Sequence, residues 1–69
     1  MSIKETNLYN AAIAHYQAQR LEALSSLEIF FSNPVAVADH SNFLDEIKKW
    51  TTTLAEAEEN IHVLKKNFS

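Results

Sequence analysis

The chain has 69 residues, no cysteine, no glycine and a formal net charge of -3 (6 Lys/Arg, 9 Asp/Glu), so it is one domain near the lower size limit for independent folding. Without cysteine there is no disulfide, thiolate metal site or cysteine nucleophile, and self-association is the common stabilising route left to so short a chain. No Lys/Arg cluster exceeds Lys48-Lys49 or Lys65-Lys66, which argues against a phosphate-tracking surface for nucleic acid or anionic membrane, and no apolar run approaches the roughly 18 residues of a membrane span.

The start, "MSIKETN", lacks the apolar core of a secretory signal, so the expected compartment is the cytoplasm. The first helix is predicted from about Lys4 to Ser32 and should stop at Asn33-Pro34, because proline disfavours an α conformation at the residue before it. Tyr9, Ile13, Tyr16, Arg20, Ala23, Leu27 and Phe30 recur at alternating steps of four and three and predict a packing seam, widened at one end by Leu24 and Phe31. Arg20 should pack its stem in this seam and send its guanidinium to a carboxylate or over the face of Trp50. From Thr6 to Gln19 there is no formally charged residue, and Ala11, Ala14, Ala18 and Leu21 line the face away from the seam. A solvent-facing helix usually carries charge there, so this stripe is read as the face of a homodimer, against the simpler view that alanine merely favours helix.

The connector "NPVAVADH", residues 33–40, has no glycine and four consecutive apolar residues, Val35 to Ala38. It is longer than an antiparallel hairpin requires, since helix-helix links of about two to eight residues suffice, so the extra length needs a use. Val35 or Val37 is expected to fold over Phe30, Phe31, Phe43 and Leu44 as a lid, or else to form the docking tip for a protein partner.

The second helix is predicted from about Ser41 to Asn67. Asp39 or Ser41 is its N-cap, Asp45 and Glu46 lie near its positive end, and Lys65 and Lys66 lie near its negative end. Phe43, Ile47, Trp50, Leu54, Ala57, Ile61, Leu64 and Phe68 form its seam, while Asp45, Glu46, Lys48, Lys49, Glu56, Glu58, Glu59, Lys65 and Lys66 give the opposite face to water. Thr53-x-x-Glu56 has the form of a capping box, but the unbroken seam through Ile47, Trp50 and Leu54 favours one continuous helix. Folding the seams together antiparallel pairs positions whose numbers sum to 73 or 74. Phe30 then meets Phe43, Ala23 meets Trp50 and Tyr16 meets Ala57, with large opposite small as interdigitating layers require.

Chemistry is sparse. His15, His40 and His62 are far apart, and no serine sits in a nucleophile-elbow context. Glu59-x-x-His62 has the spacing used in di-iron carboxylate bundles, but both side chains point away from the seam, and a solvated Glu58-His62 pair at i,i+4 is the simpler reading. No catalytic, cofactor-binding or metal-binding residue is assigned, and the chain is not read as an enzyme or as binding a small-molecule substrate.

The segment "NPVAVADHSNFLDEI", followed by "LAEAEENIHVLKKNF", resembles small helical-hairpin proteins encoded by tailed bacteriophages, including those of cyanobacteria. In these an Asn-Pro-Val connector precedes an acidic helix with a similar L-x-x-x-F tail. The resemblance covers the second half of the chain and brings no activity or functional residues with it; it implies a phage product made in a bacterial cytoplasm. The reading that follows is an all-α antiparallel two-helix hairpin, a single domain over residues 1–69, that dimerises into a four-helix bundle and acts as a protein-protein interaction or adaptor protein. The alternatives are an accessory structural subunit of a larger assembly and, third, a metal-binding bundle.

Overall fold

Thr6 closes the start of the first helix. Its backbone is extended (φ -73°, ψ 146°) and its hydroxyl oxygen accepts the Tyr9 N–H at 3.1 Å, satisfying one of the amides that no helical carbonyl can reach. Helix α1 therefore spans Asn7–Ser32, a start three residues later than the predicted Lys4, since a threonine that caps cannot also sit inside the first turn. The computed structural model describes residues 6–33 and 40–69. Lys4, at the predicted start, lies outside them.

The end of α1 falls where Pro34 requires it. Asn33 is extended (φ -100°, ψ 111°), and its N–H turns back to the Phe30 carbonyl at 3.4 Å. The Ser32 hydroxyl donates to the Glu28 carbonyl at 2.7 Å, filling another of the last-turn acceptors.

Helix α2 spans His40–Phe68 without a break. Ser41 is already helical and is not the N-cap. The other candidate, Asp39, lies outside the described residues. With the start at His40, Asp45 and Glu46 fall in the second turn rather than the first, where the dipole's effect has largely faded, while Lys65 and Lys66 do occupy the last turn. The Thr53-x-x-Glu56 box does not begin a new helix. The Thr51 and Thr53 hydroxyls donate to the carbonyls of Ile47 and Lys49, at 2.7 and 3.0 Å, the bond a threonine makes inside a helix.

The two helices pack antiparallel as a hairpin 54 Å long and 14 by 13 Å across. The Phe30 and Phe43 rings meet edge to face with centroids 5.2 Å apart, at the level the predicted register gives them. Ala23 and Ala57 are 0% exposed and Leu27 is 8% exposed, whereas Tyr9, Ile13, Tyr16, Ile47, Trp50, Leu54, Ile61 and Leu64 are half-buried along the same seam. The completely covered positions are the two alanines that the predicted register sets opposite the largest side chains, Trp50 and Tyr16. A pair of helices can enclose a small residue on its axis but leaves the flank of every large one open.

Candidate interaction surfaces

Arg20 settles where its charge goes. Its Nε donates to Glu58 Oε2 at 3.1 Å across the seam, with both side chains about half exposed. The Trp50 ring is covered instead by its neighbour Lys49, whose Nζ lies 4.9 Å from the ring centroid. Glu58 is therefore committed to Arg20 rather than to His62. The reason is geometric: Arg20 lies on the seam itself, so the guanidinium must leave sideways, and Glu58 stands at the edge of α2 on that side. An open pair of this kind fixes register more than it adds stability.

Glu59 and His62 are both exposed, and among the described residues no group of three or more His, Asp or Glu side chains could hold a metal ion. Among the same residues no helix is long and apolar enough to cross a membrane.

Apolar side chains that remain outside fall mainly into two surfaces. The first runs along α1. Ala11, Ala14, Ala18 and Leu21 are all exposed, and the structure extends their stripe with Leu8, 83% exposed, and Ile29, 63% exposed. Sequence reasoning missed these two, although their spacing from Ala11 and Leu21 was the available signal. The second surface lies at the turn end, where Phe31 is 71% and Leu44 45% exposed. Phe31 thus does not widen the seam, because at about 100° per residue it projects roughly 40° beyond Leu27 and clears the edge of α2. Leu24, its companion in the prediction, is half-buried. By the same angular count Phe31 and Leu44 lie on one side of the hairpin, the side that carries Arg20 and Glu58. Val35 and Val37, the predicted lid or docking contacts for this end, lie outside the described residues.

No family model, curated protein or solved structure matches the chain. Val63 and Phe68, the other exposed large apolar residues, sit among the charges of α2 and in its last turn. Neither adds to a continuous patch.

Proposed function

We propose that the chain is a small non-catalytic protein-protein interaction or adaptor protein. It self-associates through the Ala11, Ala14, Ala18 and Leu21 face and presents its turn end to a second protein. The observation that carries this reading is the distribution of apolar surface. Seven large apolar side chains, Leu8, Leu21, Ile29, Phe31, Leu44, Val63 and Phe68, are exposed among the described residues, while Leu27 alone of the large ones is buried. Single exposed apolar residues need no explanation, but grouped ones mark surfaces that another protein covers. In keeping with the phage-protein resemblance of the second half, the partner is a phage or host protein met in a bacterial cytoplasm. The charged outer face of α2 stays in water.

Affinity capture with the full chain as bait tests this. Wild type should retain one protein in stoichiometric amount, and Phe31→Asp should lose it while keeping the helical circular-dichroism signal. Equal capture by both, or by neither, rejects the docking end. Val35→Asp and Val37→Asp extend the test to the connector: a lid valine should cost about 1–3 kcal/mol of stability when charged, whereas a docking valine should leave the melt unchanged and abolish capture. The alternative of an accessory structural subunit is favoured by the rod shape, which offers the side of α1 and the turn end to different neighbours. Co-sedimentation with particles in place of a soluble complex would support it.

A further inference from the structure

Resting on the self-association proposed above, we infer that two copies of the chain pair antiparallel along the outer face of α1, with Ala18 on the two-fold axis, to give a flat four-helix layer with both α1 helices inside and both α2 helices outside. Three independent observations lead there. The first is area. The chain exposes 5117 Å², whereas a compact monomer of 7.9 kDa exposes about 4,400 Å². The excess, about 700 Å² per chain, is close to the roughly 800 Å² that each partner contributes to a standard interface.

The second is where uncovered surface of the right kind lies. Positions 11, 18, 25 and 32 repeat every seven residues and are all small and exposed: Ala11, Ala18, Ser25 and Ser32. They permit a close helix approach, with Leu8, Leu21 and Ile29 beside them. From Leu8 to Ile29 this face runs for about 31 Å of helix, and over Thr6–Gln19 no charge interrupts it.

The third is that the face is complementary to itself. Reversed about Ala18, positions pair when their numbers sum to 36, as an isologous contact demands. Ala11 then meets Ser25 of the second copy, Leu21 meets His15, Ala14 meets Glu22, and Leu8 meets Glu28, one residue from Ile29. Small faces small at the axis and at the flanking turns. Glu22 falls one residue from the level of the second copy's His15 instead of facing another carboxylate. No foreign partner is needed to explain the pattern.

The arrangement also differs from a square bundle. At about 100° per residue the stripe centred on Ala18 lies roughly 180° from the seam centred on Leu27, while a square bundle needs apolar faces about 90° apart. The second copy therefore sits directly behind α1, and the charged outer face of α2 remains in solvent.

The absence of cysteine makes the test direct. Helices packed about 8–10 Å apart, each of radius about 2.3 Å, bring facing Cα atoms within reach of a disulfide. Ala18→Cys should crosslink with itself under mild oxidation. Ala11→Cys and Ser25→Cys, each about 21 Å from its own equivalent in this register, should stay uncrosslinked alone and crosslink when mixed and allowed to exchange under reducing conditions before oxidation. Thr52→Cys, on the outer face of α2, should not crosslink. Self-crosslinking of Ala11→Cys would mean a parallel or unfixed pairing, and crosslinking of Thr52→Cys as strong as that of Ala18→Cys would place α2 inside. Either result overturns the proposal, as does a wild-type mass of one chain by light scattering at micromolar concentration.

Discussion

Ala23 and Ala57 show how a single small residue can be indispensable in a structure with almost no interior. Each is completely covered although neither brings much apolar area of its own; in the predicted register their value is the space they leave for Trp50 and Tyr16. Ala57→Leu should overpack its layer and cost about 1–3 kcal/mol in denaturant melts, and adding Tyr16→Ala should recover part of that loss. Strict additivity of the two changes would mean that these side chains do not share a layer. Arg20 carries the opposite lesson. It occupies a seam position that an aliphatic residue would fill, and sends its charge out to Glu58 at 3.1 Å. The salt bridge is open to water and screened by it, so its energetic contribution is small.

The two helices differ in how their apolar and charged residues are distributed. In α2 the seam from Phe43 to Leu64 is buried or half-buried and the charges lie outside, as in a helix with one buried and one wet side, although Leu44, Val63 and the predicted seam residue Phe68 are exposed. Apolar residues occur nearly all round α1, and its charges within Asn7–Ser32 are limited to Arg20, Glu22 and Glu28. Such a helix is at home between two others, not at the edge of a pair. The middle of α2 offers a separate test of continuity. Threonine is a weaker helix former than alanine, so Thr53→Ala should leave stability unchanged or raise it by a few tenths of a kcal/mol. If Thr53 capped a helix of its own, the same change would cost about 1 kcal/mol, and thermal melts resolve the two outcomes.

At the scale of the whole molecule, a radius of gyration of 15.6 Å against about 11 Å for a compact chain of this length states the problem of a lone hairpin. A rod two helices thick has no place for a fully buried large side chain, and none is found among the described residues. The proposed association would supply the missing layer and tie stability to concentration, so the wild-type melting temperature should rise as protein concentration rises. Ala14→Glu combined with Ala18→Glu puts carboxylates onto the shared face and should reduce the mass measured by light scattering to that of one 7.9 kDa chain, with a melting temperature independent of concentration. A concentration-independent melt in the wild type would count against association.

Periodicity alone determined the two helices, their antiparallel seam and its register, because a stripe repeating every three to four residues over many turns can pack in few ways. Phe30 against Phe43 and the buried alanines are read directly from that pattern. Pro34 likewise fixed the end of α1 at Ser32 through local sterics. Helix starts were less legible. Several nearby residues can each cap, and only the folded backbone selects among them: Thr6 ahead of α1, and a start before Ser41 for α2. The candidate surfaces depended on tertiary structure most of all. That Arg20 takes Glu58 from His62, that Lys49 takes the Trp50 face, and that Phe31 stands outside the seam are outcomes of competition between side chains brought together by the fold. A one-dimensional pattern lists the competitors, but the distances that decide among them exist only after the hairpin closes.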